Sequence, residues 1–112
     1  MVRITAFVRP HRLEEVKLAV AGHEITGLSV SDVRGTGNSP ERAVWLGGYE
    51  TLVALPIRSK IVVFAREDQA EELVEAIVHA ARTGEPGDGK IFVEPVTDAI
   101  RIRTGERGAT GL

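Results

Sequence analysis

The chain has 112 residues, 43% of them apolar and 27% charged, with no cysteine and a formal net charge of −2. That length makes one domain, residues 1–112, of globular rather than disordered or membrane type. Without cysteine there are no disulfides, thiolate nucleophiles or thiolate zinc sites. The mildly acidic balance argues against nucleic acid, and a cytoplasmic location is expected.

Residues 2–9 alternate, with Val2, Ile4, Ala6 and Val8 on one face and Arg3, Thr5, Phe7 and Arg9 on the other, the period of a strand. Pro10 stops it. From Arg12 to Ala21, Leu13, Val16 and Val20 lie at helical spacing, and Gly22 stands as a left-handed helix end. Residues 25–34 read as a second strand. The parity of its apolar residues changes between Val30 and Val33, which predicts a bulge near its end.

A loop of about 20 residues, 36–56, follows. Residues 57–66 form a third strand, apolar on both faces, with Ile61 and Val63 on one and Val62 and Phe64 on the other. Ala70, Leu73, Val74, Ile77, Val78 and Ala81 then fit one helix stripe behind an acidic first turn. KIFVEPV, residues 90–96, is a fourth strand. A short strand IRIR, residues 100–103, precedes a tail expected to fray from about 105 to 112.

Two successive βαβ halves predict an α+β, ferredoxin-like fold, with an antiparallel four-stranded sheet and both helices on one face. The other sheet face would be bare. Because the strands are apolar on both faces, other copies of the chain should cover it, and a homo-oligomer follows.

Gly84, Gly87, Gly89 and Lys90 give the G-x4-G-K spacing of a phosphate loop. Ile91 stands where such a loop has its Mg²⁺-holding hydroxyl, and here the helix precedes the loop and the strand follows it, the reverse order. The glycines still permit close backbone approach to an anion, with Lys90 as a point charge. The same residues also make an ordinary turn with Gly84 capping the helix. Spacing alone leaves both readings open.

Arg101 and Arg103, two apart in a strand, would share a face roughly 7 Å apart, which suits phosphate oxygens or plain solvation. A second glycine cluster, Gly35-Thr36-Gly37-Asn38, enters the long loop. Three anion-type features together favour nucleotide or polyphosphate binding. Nothing comparable supports catalysis: His11, His23 and His79 share no metal spacing, and Ser29, Ser31 and Ser39 lie in no nucleophile elbow. No catalytic residue and no metal site is expected, and no cofactor is required.

On ARTGEPGDGKIFVEPVTDAIRIRTGE, residues 81–106, together with VRPHRLEEVKLAV and ITGLSVSDVRGTG, the chain resembles the PII signal-transduction family over nearly all of residues 2–106. The resemblance implies a homotrimer with ATP, ADP or AMP bound in clefts between subunits. By matching position, Gly87, Asp88, Gly89 and Lys90 would hold the nucleotide from one side with Gly35, Thr36, Gly37 and Asn38. Ser29 and Phe64 would lie near the adenine, and Arg101 and Arg103 would reach the phosphates from the neighbour. Loop 36–56 would dock on a transporter or enzyme, with Trp45, Leu46 and Tyr49 as its contact residues, and neither nucleic acid nor membrane insertion is implied.

The departures from the family pattern lie almost entirely in that loop. Thr51 occupies the position uridylylated in many members, with Tyr49 two residues early, and Gly47 replaces the channel-plugging arginine. Ser39 replaces the Mg²⁺-coordinating glutamine, and Arg58 replaces the lysine that pairs with 2-oxoglutarate. These changes argue against uridylylation, Mg²⁺ and 2-oxoglutarate. They favour an adenylate-responsive regulator in bicarbonate-linked carbon metabolism, with Arg9, Ser39 and Arg58 around a small anion. The alternative is a nitrogen-regulatory protein binding ATP or ADP with 2-oxoglutarate and controlling an ammonium transporter or nitrogen-assimilation enzyme.

Overall fold

The computed structural model describes residues 1–35, 45–46, 49–50 and 55–112. Strand β1 (Val2–Val8) leads through a 3-10 turn at Pro10–Arg12 into helix α1 (Leu13–Ala21), and β2 is Leu28–Arg34. Within the long loop, β3 (Trp45–Leu46) and β4 (Tyr49–Glu50) pair with each other, Leu46 opposite Tyr49. β5 (Ile57–Ala65), α2 (Ala70–Ala81) and β6 (Gly89–Pro95) follow. The main sheet runs β2-β5-β1-β6 and is antiparallel throughout. With two helices in βαβ-βαβ order, this is the expected ferredoxin-like α+β fold.

The alternation in β1 works as read. Val2, Ile4, Ala6 and Val8 are buried with Ile61, Val63 and Ala65 of β5, against Val16 and Val20 of α1 and Leu73, Ile77, Ala80 and Ala81 of α2. Each fully buried Val, Leu or Ile contributes about 1.5–3 kcal/mol, so this aliphatic layer supplies the main stabilisation. Arg12 ties the helices together, donating from Nε (2.9 Å) and Nη2 (2.7 Å) to the carbonyl of Ala80 at the end of α2. That carbonyl is one of the four that an α-helix leaves without an internal partner.

Four local expectations are corrected. β2 starts at Leu28 and pairs with β5 in unbroken register from Leu28 opposite Val63 to Arg34 opposite Ile57, so it has no bulge. The parity change arises because Val33, half-buried, lies on the other sheet face beside Arg58. Gly22 ends α1 with φ −72°, a right-handed cap. Gly84 does not cap α2: the chain leaves that helix extended at Arg82 (φ −67°, ψ 129°), and the φ of +90° at Gly84 belongs to the next turn.

The IRIR strand does not form either. Ile100 makes a lone bridge with Arg107, and residues 102–104 are a turn closed by hydrogen bonds from Arg101 N to Glu106 O (2.9 Å) and from Gly105 N to Arg101 O (2.7 Å). Beyond it the tail, expected to fray, folds into a 3-10 turn at Gly108–Gly111. Local turn chemistry at Gly105 (φ +74°) and Gly108 (φ +67°) outweighs strand propensity here, because among the described residues no strand lies beside it to pair with.

On the face away from the helices, Phe64 is 39% and Phe92 50% exposed. The described residues of one chain therefore leave this face uncovered, as the two-sided apolar pattern of residues 61–64 suggested.

Candidate functional site

The glycine loop is organised by one carboxylate. Asp88 Oδ2 accepts the backbone N–H groups of Thr83 (2.8 Å) and Gly84 (2.9 Å), and Oδ1 accepts the Thr83 hydroxyl and Arg9 Nε (3.1 Å). Led by the Thr83 hydroxyl and then its N–H, these bonds hold the Asp88 carboxyl well below the usual carboxylate range, against partial desolvation. Asp88 is thus turned into its own loop. The backbone and Lys90 are what the loop presents outward.

A depressed folded-state pKa means the charged form stabilises the fold. That contribution is complete above the ordinary aspartate value of about 3.9 and lost as pH falls through the lower folded value. Urea melts of the wild type and Asp88→Asn should therefore differ by a constant amount near neutrality, with wild type the more stable. The gap should shrink steadily below about pH 4. A gap independent of pH would show that the charge of Asp88 does not hold the loop.

Arg9 completes the clasp by donating from Nη2 to the carbonyl of Pro86 (2.5 Å). The positive φ of Gly87 (+95°) brings its backbone beneath two guanidinium groups. A methyl group there would lie 3.2 Å from Arg9 Nη2 and 3.5 Å from Arg58 Nη2. Arg9 and Arg58, singled out for a small anion, are therefore brought together at Gly87, with Arg9 already bonded to the loop.

The register extends this positive edge across the open sheet face. Ser31, Lys60, Phe7 and Lys90 form one row across the four strands. Lys60 Nζ sits 6.0 Å from the centre of the Phe7 ring, and Phe7 meets Phe92 edge-to-face at 6.1 Å. Ser29 lies one row further on, beside Val62, and Phe64 lies beyond it, opposite Arg3. Gly35 donates to Pro56 O (3.1 Å), closing the neck of the long loop at the same sheet end as Gly89. Thr36, Gly37, Asn38, Ser39, Gly47 and Thr51 lie outside the described residues, and Trp45, Leu46 and Tyr49 are described only as paired backbone.

Arg101 and Arg103 are not brought to this edge. β6 carries the chain from Gly89, opposite Val8, to Pro95, opposite Val2, a run of roughly 20 Å at strand rise. The N–H of Val96 then bonds Met1 O (3.0 Å), and Ala109 lines one cavity with Met1 and Arg66. The arginine turn thus leaves from the opposite end of the sheet. Because it is a turn, the expected spacing of the two guanidinium groups on a strand face does not apply. Arg101 Nη2 donates to the carbonyl of Leu112 (2.9 Å), while Arg103 makes no hydrogen bond or ion pair among the described residues.

Sequence reasoning missed Thr83, Lys60 and Phe7. Thr83 carried a usable signal, a hydroxyl five residues before an aspartate in a glycine-proline turn, where such side chains bond nearby backbone. Lys60 and Phe7 carried none, since they meet only through the β1–β5 pairing.

Among the described residues no helix is long and apolar enough to cross a membrane. The family model described as "Nitrogen regulatory protein P-II" matches residues 1–106. A protein of that name from Synechocystis sp. is 43% identical over 112 residues, covering all of both chains. Another from Cereibacter sphaeroides is 44% identical over 108 residues, 96% of each chain. A "Nitrogen regulatory protein P-II homolog" from Arabidopsis thaliana is 46% identical over 109 residues, 95% of this chain and 55% of that protein. On the strength of these matches, the chain belongs to the P-II family of nitrogen regulatory proteins.

Proposed function

We propose that this chain is a non-catalytic, homotrimeric signal-transduction regulator in nitrogen metabolism, which binds adenine nucleotides between subunits and controls a transporter or enzyme through loop 36–56. The observation that carries the reading is a separation. The glycine loop with Arg9, Arg58, Lys60 and Lys90 lies at one end of the sheet, and the Arg101–Arg103 turn leaves from the other. Each is half of a polyphosphate site, offering backbone N–H groups and a lysine on one side and two guanidinium forks on the other. A second copy packed on the bare sheet face supplies the missing half.

The names of the relatives matched over nearly their whole length favour nitrogen over the bicarbonate-linked carbon reading. Of the residues that suggested carbon, Ser39, Gly47 and Thr51 fall outside the described residues, while Arg9 and Arg58 are described. With Arg9 beside it at Gly87, Arg58 adds to the positive charge that a small carboxylate or carbonate effector would meet there.

Titration calorimetry with ATP, ADP and AMP tests the proposal. Binding is expected for the wild type, and Lys90→Ala or Arg101→Ala should weaken ATP binding about tenfold or more, the loss of a charge-assisted contact. Trimers reassembled from a mixture of the two variants should regain a fraction of intact sites, because each variant supplies what the other lacks. No heat with any adenine nucleotide would overturn the reading, and mixtures no better than either variant would place both halves in one subunit. Repeating the ATP titration with 2-oxoglutarate or with bicarbonate identifies the effector.

A further inference from the structure

Among the described residues nothing packs over the Arg101–Arg103 turn. Ile102 at its tip is 99% exposed and Ile100 52%. A turn with so little side-chain burial keeps its shape through polar ties, and those at its base converge on Asp98. Its Oδ1 accepts the N–H groups of Ala99 (2.9 Å) and Gly108 (3.0 Å), and its Oδ2 accepts Arg107 Nη1 (3.1 Å). The carboxylate thus joins the segment entering the turn to the segment leaving it, next to the Ile100–Arg107 bridge.

Behind this clamp the tail folds back. The Thr110 hydroxyl donates to Arg107 O (2.7 Å), and the Cα of Gly111 lies so close to Ala99 that a methyl group there would come within 2.4 Å of its carbonyl oxygen.

We propose that Asp98, with Arg107 as its charge partner, is a positioning residue that closes the base of this turn and so presents Arg101 and Arg103 preformed to a polyphosphate of the neighbouring subunit. The inference rests on the nucleotide reading above. Asp98 touches no ligand itself. It acts by ordering the two arginines before binding, so that their immobilisation is not charged against affinity. The carboxyl is held below the ordinary range, first by the Gly108 N–H and then by Ala99 and Arg107 against some desolvation, consistent with a carboxylate that stays ionised in the clamp.

The test compares ATP and AMP affinities of wild type, Asp98→Ala, Asp98→Asn and Arg107→Ala by calorimetry. Asp98→Ala should lose about tenfold in ATP affinity and far less in AMP affinity, so that the ATP:AMP preference falls; general destabilisation would lower both alike. Asp98→Asn keeps an oxygen for the two backbone N–H groups and loses the charge on Arg107, and should lie between, as should Arg107→Ala. Hydrogen exchange at the amides of Arg101 and Gly108 should quicken in Asp98→Ala without ligand.

An ATP:AMP preference equal to wild type in these variants overturns the proposal, as does unchanged exchange at both amides. If Asp98→Ala does not fold, the other two variants decide by the same ratio. A wild type that binds no nucleotide overturns the reading beneath, and the inference falls with it.

Discussion

Replacing Gly89 by alanine is expected to be the most damaging single substitution at the site. A Cβ on Gly89 would lie 1.7 Å from the carbonyl oxygen of Phe7 and 2.8 Å from its carbon, at a backbone φ of +108°. The clashing atoms are backbone, held in register by the pairing of Val8 with Gly89, so no side-chain rotation relieves them. The start of β6 would have to leave β1, taking Lys90 with it. The loss should be on the order of 4 kcal/mol or more, the range reserved for a broken core or blocked backbone.

Gly84→Ala is the control. Its φ is also positive, +90°, but no atom lies within 4 Å, so only the left-handed backbone penalty of about 1–2 kcal/mol remains. Thermal unfolding of both variants checks this, and equal destabilisation would show that close approach to Phe7 is not what requires glycine at 89.

Placing a charge on the bare sheet face should dissolve the proposed trimer while leaving the subunit folded. Phe92 is half exposed and makes one edge-to-face contact with Phe7, so Phe92→Asp costs the single chain about 2 kcal/mol. In an assembly covering that face, the same carboxylate would lie among Phe7, Val62 and Phe64. The Arg3 fork nearby is already occupied by Glu94, with three hydrogen bonds of 2.8–3.2 Å. Lys60 and Lys90 lie one row away on the same face, but taking a carboxylate out of water costs several kcal/mol per ion, more than such a pairing returns, and a trimer would bear it three times. Sedimentation should therefore show a wild-type trimer and a Phe92→Asp monomer that still melts cooperatively. A trimeric variant would locate the subunit contact elsewhere, and a monomeric wild type would overturn the trimer.

The elements were legible because their signals are local. The stripe from Ala70 to Ala81 and the alternation from Val2 to Val8 depend only on neighbours in sequence, and both elements match the expectation to within a residue. IRIR failed for the complementary reason. Its residues favour a strand, but a strand exists only with a partner, and the chain beyond Pro95 has passed the end of the sheet. Gly84 failed through its position: the helix ends three residues before it, and the turn that needs a positive φ belongs to the Asp88 clasp.

The site divides along the same line. The glycines, Lys90 and arginine pair of the proposed site could be read from motif and spacing, and so could the family, because close backbone approach and charge demand particular residue types at particular steps. What those residues do to one another could not. That Arg9 reaches Asp88, that Arg9 and Arg58 meet over Gly87, and that Lys60 lies on Phe7 all follow from β1 pairing with β5 and β6. The sequence by itself determined which elements form and which chemistry they carry, since periodicity and turn residues act over a few positions. Only the tertiary structure decided that the glycine loop and the arginine turn leave from opposite ends of one sheet, because that separation is set by strand register, a contact between residues some 80 positions apart in the chain.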